Sequence, residues 1–346
     1  MGIIKGCYTA LVTPFKGDAV DDEGLDSLVD FQIENGVAGI LAVGTTGESP
    51  TLTWEEHNRV VENAAAKTKG RCLCIAGTGS NNTKETIEAT GHAAECGADA
   101  VLLVDPYYNG PSSLEIRREY IEPVAREFPD MQIIPYVIPG RTGAQLMPED
   151  LAILSREFYN VNTVKEATGN IENMRRTREC CGPGYSIMSG DDGMVFQMMT
   201  DPDIKASGVI SVLSNIVPGA ITELLNLTGN GEIEKAEKLH SALKPLFELV
   251  TVSTMEATPF GETLCRARNP LAVKTLMSIL GMPSGGCRKP LGKMTQKGVA
   301  KVLSVVRRVY EATPVLLKPL EDFFGVKVLQ RLTDSSNWEG LSYDKY

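Results

Sequence analysis

One short stretch carries the residue types of amine chemistry: Asn160-Val-Asn-Thr-Val-Lys165-Glu-Ala-Thr-Gly169-Asn170. A β-branched, apolar run ends in a lysine, and Gly and Asn then open what reads as a helix. A lysine delivered by a buried strand loses hydration, which lowers its pKa and leaves more free amine near neutral pH. Such an amine can attack a ketone and form an imine. Taken alone, the segment fits a strand-end lysine snorkelling to solvent at least as well, so its neighbours must decide.

Four other stretches carry reactive types. Val43-Gly-Thr45-Thr46-Gly47-Glu48-Ser49 has two glycines that permit a tight turn, aiming backbone N–H groups and two hydroxyls at an anion; the plainer reading is a capping turn. In Asp105-Pro-Tyr107-Tyr108-Asn109 the phenols either pack at an interface or relay protons. Within Pro135-Tyr136-Val137-Ile138-Pro139-Gly140-Arg141-Thr142-Gly143, Tyr136 is a candidate general acid or base. Arg141 offers a fork that matches a carboxylate, unless it is a surface arginine in a Pro/Gly turn. Ser189-Gly190-Asp191-Asp192 reads as a polar turn or a helix cap. Gly77-Thr-Gly79 lacks the third glycine and the acidic partner of a dinucleotide site, which excludes that reading.

The elements that must position these residues repeat at roughly thirty residues, the size of a βα unit. Strands are expected at Cys7–Val12, Gly39–Val43, Leu73–Ala76, Ala100–Val104, Gln132–Val137, Val161–Lys165, Tyr185–Ser189 and Ser207–Ser211. Between them run amphipathic patterns such as Glu23–Asn35, Trp54–Lys67, Lys84–Cys96, Ser113–Phe128 and Pro148–Ser155, several opened by Asp, Ser or Thr. Strict alternation of strand and helix predicts an α/β fold with a parallel sheet, and eight units predict a closed (β/α)8 TIM barrel over residues 1–227. Residues 228–315 read as a C-terminal helical appendage, mostly helical from Ile233 to about Ala312. The extension 316–346 has no clear period. In such a barrel the loops after the strands form the catalytic face, and nearly every candidate above falls there.

Composition narrows the function classes. With 346 residues, 42% hydrophobic and 23% charged, the chain can bury one large core and an appendage. A net charge of -10 without a basic patch argues against a nucleic-acid partner. No run reaches the length of a membrane span and the N-terminus has no secretory pattern, so a soluble, cytoplasmic protein is expected. Eight cysteines without paired C-x-x-C sets, beside three histidines, fit reduced thiols better than disulfides or zinc. No metal and no cofactor are expected.

The motifs Gly44-Thr-Thr-Gly-Glu48, Tyr136-x-x-Pro-x-Arg141-Thr-Gly, Val164-Lys165-Glu-Ala-Thr-Gly-Asn170, Ser189-Gly-Asp-Asp192, Gly208-Val-Ile210-Ser-Val and Asn269-Pro-Leu-Ala-Val-Lys274 together resemble the dihydrodipicolinate synthase and N-acetylneuraminate lyase family over roughly residues 1–315. The resemblance implies that Lys165 forms an imine with pyruvate and that Tyr136 shuttles protons. It implies that Thr45 links Tyr136 to Tyr108, which reaches into the neighbouring subunit's site. Thr45 and Thr46 would hold the pyruvate carboxylate, Arg141 the carboxylate of the aldehyde partner, Gly190 and Asp191 the incoming aldehyde, and the Ile210 carbonyl would lie near the reacting carbon.

Arg141-Thr-Gly resembles the synthase branch, whose aldehyde is L-aspartate 4-semialdehyde, at the entry to diaminopimelate and lysine. The alternatives are a pyruvate-dependent aldolase of a sialic acid or 2-keto-3-deoxy sugar acid, and a non-catalytic binding barrel. The resemblance also implies a homotetramer of two tight dimers and a lysine pocket at the dimer interface formed by Ser49, Trp54, His57, Asn81, Glu85 and Tyr107. Three departures from the family pattern stand out. Val137 replaces a residue commonly polar and predicts a drier environment around strand five. Trp54 stands where some members have histidine. The tail from Thr313 exceeds the usual length.

Overall fold

The computed structural model describes residues 4–346. Eight parallel strands close into a barrel. They are β1 (Gly6–Ala10), β2 (Gly39–Ala42), β3 (Leu73–Gly77), β4 (Ala100–Val104), β5 (Gln132–Val137), β6 (Thr163–Glu166), β7 (Ser186–Ser189) and β8 (Gly208–Ser211). Each pairs with its neighbours in sequence, and β8 returns to β1 with Tyr8 opposite Ile210. The expected strands thus all exist, with ends shifted by a residue or two. The helices that cover them include Asp22–Glu34, Trp54–Thr68 and Thr83–Glu95, capped by the side chains of Asp21, Thr53 and Asn82. The pattern expected over Ser113–Phe128 is helical from 113 to 127 with a π segment, Ile116–Ile121, in its middle.

Alternation along each strand splits the apolar residues into two layers. Tyr8, Leu41, Ile75, Leu102, Ile134, Tyr136, Met188 and Ile210 fill the barrel interior. Ile133, Val137 and Val164 face the helices and join the larger outer core. Val137 belongs to this outer layer. It is fully buried, but on the face opposite Tyr136, so it dries the strand–helix layer and not the site.

The C-terminal region, expected to be mostly helical over residues 228–315, also holds two strands. Between the helices Ile233–Phe247 and Leu271–Leu280 an antiparallel hairpin, Thr251–Thr258 with Gly261–Arg268, rises from the barrel. Pro259 and Gly261 break any helix there, and the flanking Thr251, Val252, Thr254, Thr258 and Thr263 favour extended backbone. The hairpin is tied to the helix Gln296–Ala312 by the hydroxyls of Thr254 and Thr295, 3.2 Å apart, and by Lys297 Nζ donating to the Met255 carbonyl at 2.5 Å.

The tail is docked. Its helices Lys318–Phe324 and Val328–Thr333 bury Leu320, Val328 and Leu332. Phe323 and Phe324 pack on Phe31 of the first barrel helix with ring centres 5.2 and 5.1 Å apart. Arg331 donates to the carbonyls of Ser278 and Ile279, binding the tail to the appendage. No helix among the described residues is long and apolar enough to cross a membrane.

Candidate active site

Lys165 is the third residue of β6 and points into the barrel mouth, 5% exposed, with its Nζ 4.2 Å from the centre of the Tyr136 ring on β5. The register places Tyr136 directly opposite Lys165. Burial pulls the lysine pKa down to about 7; the nearby Asp192 carboxylate opposes this and the Arg141 charge adds to it. The strand-end lysine is therefore a desolvated amine and does not reach solvent. Burial also pushes the Tyr136 phenol up to about 12, while Arg141 and the Thr45 hydroxyl pull the other way. Near neutral pH it keeps its proton, as a proton donor must.

The other reactive side chains converge on the same space. A cavity of about 560 Å³ is lined by Thr45, Thr46, Tyr136, Arg141, Lys165, Gly190, Asp191, Asp192 and Asn269. Seven residues picked from four separate stretches of sequence thus share one cavity at the C-terminal ends of the strands. Gly190 is needed there: a Cβ would lie 2.7 Å from the Ala167 Cβ and 3.3 Å from the Lys165 Cε. The loop holding Thr45 and Thr46 is flanked by two non-glycine residues in the left-handed region, Val43 at φ 49° and Glu48 at φ 59°. Such backbone persists only where surroundings impose it, and it marks this loop as a shaped one.

What imposes it comes from the appendage. Glu48 is buried against Lys274 of the helix Leu271–Leu280, with Nζ to Oε1 at 2.6 Å, and its Oε2 accepts the Arg288 backbone N–H at 2.8 Å. Asn269 donates from Nδ2 to the Thr46 hydroxyl at 2.9 Å, and its carbonyl accepts from the exposed Arg141 at 3.2 Å. Asp192 accepts from the Val212 N–H at 2.9 Å, the Leu213 N–H at 3.2 Å and the Ser211 hydroxyl; burial raises its pKa to about 6. Sequence reasoning gave no role to Asp192, Asn269 or Lys274. The motif Asn269-Pro-Leu-Ala-Val-Lys274 was the available signal for two of them.

Two expected residues stand apart. Ile210 lies in the barrel interior, while Val212 lines the cavity from that strand end. Tyr108 is 87% exposed on the loop after β4, outside the cavity. The residues expected to bind lysine do come together: Ser49, Trp54, His57, Glu85 and Tyr107 line a second cavity of about 410 Å³ that shares Thr45, Tyr136 and Arg141 with the first. Asn81 stands behind it, its Oδ1 accepting the Tyr107 backbone N–H at 2.7 Å. His57 Nε2 lies 2.9 Å from the Gly77 carbonyl, which fixes Nε2 as the protonated nitrogen, and burial lowers its pKa.

Fold and site define a class of protein: a (β/α)8 barrel enzyme with a desolvated amine, a buried phenol and anion donors gathered at the C-terminal ends of its strands. Comparison with known proteins narrows it. The chain belongs to the dihydrodipicolinate synthetase family, which it matches over residues 3–309. It is 39% identical to the 4-hydroxy-tetrahydrodipicolinate synthase of Methanococcus vannielii, over 86% of this chain and 96% of that one. It is 40% identical to the enzyme of the same name from Geotalea uraniireducens, over 88% of this chain and 98% of that one. Among solved structures, dihydrodipicolinate synthase from Cyanidioschyzon merolae with lysine bound superposes with a TM-score of 0.80 at 34% identity, covering 88% of this chain and 98% of that one. The family match ends at residue 309, so most of the docked tail lies beyond it.

Proposed function

We propose that this protein condenses pyruvate with L-aspartate 4-semialdehyde to give 4-hydroxy-tetrahydrodipicolinate, a lyase-type reaction on the route to diaminopimelate and lysine. The observation that carries the mechanism is the placement of a desolvated Lys165 amine against the Tyr136 ring, in one cavity with Thr45, Thr46 and Arg141. The amine adds to the keto carbon of pyruvate. The resulting hydroxyl takes a proton from the Tyr136 phenol and leaves as water. The iminium draws electrons from the methyl group, which loses a proton and becomes an enamine carbon. That carbon bonds to the aldehyde carbon of the second substrate, whose oxygen gains a proton. The substrate's own amine then attacks the imine carbon, closes the ring and frees Lys165, so one water is lost overall. The iminium is the electron sink, and the route needs no metal or cofactor.

Both reactants carry carboxylates. Thr45 and Thr46 hold that of pyruvate and Arg141 that of the aldehyde, which supplies the orientational part of the rate gain. The names of the relatives favour this substrate over a sialic acid or sugar acid. Tyr108, exposed on one chain, completes the Tyr–Thr–Tyr relay in a neighbouring copy, within a homotetramer of two tight dimers. The second cavity suits L-lysine: Glu85 meets one ammonium, Ser49 and the free His57 Nδ1 the other, Tyr107 the carboxylate, and the Trp54 ring, 5.1 Å from that of His57, forms a wall. The test is borohydride reduction in the presence of pyruvate, which should fix a pyruvate adduct on Lys165 and on no other lysine by peptide mass analysis. An unmodified Lys165 would refute the mechanism, and turnover of N-acetylmannosamine with none of aspartate semialdehyde would refute the substrate.

A further inference from the structure

The imine chemistry leaves one wall of the catalytic cavity unexplained. That wall is built by Thr251 and Ser253 of the hairpin and Lys301 of the helix Gln296–Ala312. Directly opposed residues of an antiparallel pair share a face. The register sets Arg268 opposite Thr251, on the hairpin face that Thr251 presents to the cavity, whereas Arg266, opposite Ser253, lines a separate cavity with Val252, Thr254 and Glu256. Arg268 also immediately precedes Asn269, which holds both Arg141 and Thr46. It stands close enough to Arg141 for the two charges to oppose each other.

Several arginines elsewhere in the chain sit between two carboxylates. Arg117 lies between Glu122 and Asp150, Arg175 between Glu172 and Asp201, and Arg176 between Glu149 and Glu179. Among the described residues Arg141, Arg268 and Lys301 have no carboxylate within ion-pair distance, although the chain carries a net charge of -10. Like charges gathered at a cavity without a counter-ion oppose one another until an anion arrives. Lys301 reaches the Ser253 carbonyl only at 3.5 Å, and an ammonium has three donors, so it retains donors for a ligand.

We propose that Arg268 of the hairpin and Lys301 complete, with Arg141, a composite clamp for the carboxylate of the aldehyde substrate, which makes the hairpin the element that selects an acidic aldehyde over a neutral one. The inference rests on the function proposed above and assigns its second-substrate specificity. Thr45 and Thr46 continue to serve pyruvate. The clamp therefore acts on one substrate and not the other.

The experiment compares the parent with Arg268→Ala, Lys301→Ala and Arg268→Lys, using pyruvate and L-aspartate 4-semialdehyde, with borohydride trapping of pyruvate run beside the kinetics. Arg268→Ala should raise the aldehyde KM roughly tenfold or more, as expected for loss of a charged hydrogen bond, and leave the pyruvate KM within about twofold. Lys301→Ala should raise it less, Arg268→Lys should keep part of the affinity, and added salt should raise the parent's aldehyde KM. An aldehyde KM unchanged in Arg268→Ala overturns the clamp, as does a parallel rise of both KM values. If the parent traps no pyruvate on Lys165, the proposed function itself fails; if it traps pyruvate and Arg268→Ala has no effect, only the clamp fails.

Discussion

Replacing Lys274 by Met would test how the C-terminal appendage holds the anion loop. Lys274 is 1% exposed, and its Nζ donates to Glu48 Oε1 at 2.6 Å and to the carbonyls of Thr13 and Gly286 at 3.0 Å each. Methionine has a similar volume and fills the site, so the loss is electrostatic and not a cavity. It leaves the Glu48 carboxylate buried without its cationic partner, with the Arg288 backbone N–H still donating to it. Removing one partner of a buried pair costs about 3–5 kcal/mol. That is a large part of the ~5–15 kcal/mol by which a native protein is stable. The strain matters as well, because Glu48 is held at φ 59° in the loop that carries Thr45 and Thr46. Freed from Lys274, the loop should relax and the pyruvate KM should rise. The assay is urea unfolding of the parent, Lys274→Met, Glu48→Gln and the double variant, with pyruvate KM for each. The double variant should be more stable than the sum of the single losses implies, because neither charge is then orphaned. Additivity within ~0.5 kcal/mol would show that the pair is not coupled and refute the reasoning.

Lys165→Met should abolish turnover and yet stabilise the protein. The folded lysine titrates near 7 against 10.5 for the free side chain, so between those values the unfolded chain binds more protons and the parent's stability rises with pH. The penalty of burying this lysine is thus complete below about pH 7 and fades toward 10.5; the variant's gain in melting temperature should be larger at pH 6.5 than at pH 9.5, and an equal gain at both would contradict it. Asp192→Asn removes the charge that lifts the Lys165 pKa, so the acid limb of pyruvate imine trapping should move to lower pH by up to about one unit. A limb that stays in place or moves upward counts against Asp192 as the electrostatic partner. Calorimetry with L-lysine should detect binding that Glu85→Ala or Trp54→Ala weakens without loss of the Lys165 imine, and an absence of heat at millimolar lysine would remove the regulatory reading alone.

The amino-acid sequence by itself determined the barrel and the centre of its site. Helical and strand periods are local information, written within ten or fifteen residues, so all eight strands and their order could be read directly. Closure then places every strand C-terminus on one face, which is why Lys165, Tyr136, Arg141, Thr45 and Asp191 could be grouped before any distance was known. The hairpin was harder to read. Its strands alternate weakly because both faces are partly exposed, which leaves Pro259, Gly261 and the β-branched residues around them as the signals against a helix. The tail has no period of its own, since its order comes from Phe323 and Phe324 packing on Phe31, almost three hundred residues earlier in the chain. Val137 is apolar whichever way it faces, and the pleat alone sends it to the helix layer. The partners Glu48 and Lys274 are 226 residues apart, and Thr46 and Asn269 are 223 apart. Tertiary structure decided these features because a side chain's environment depends on which distant segment packs against it, and no local pattern encodes that choice.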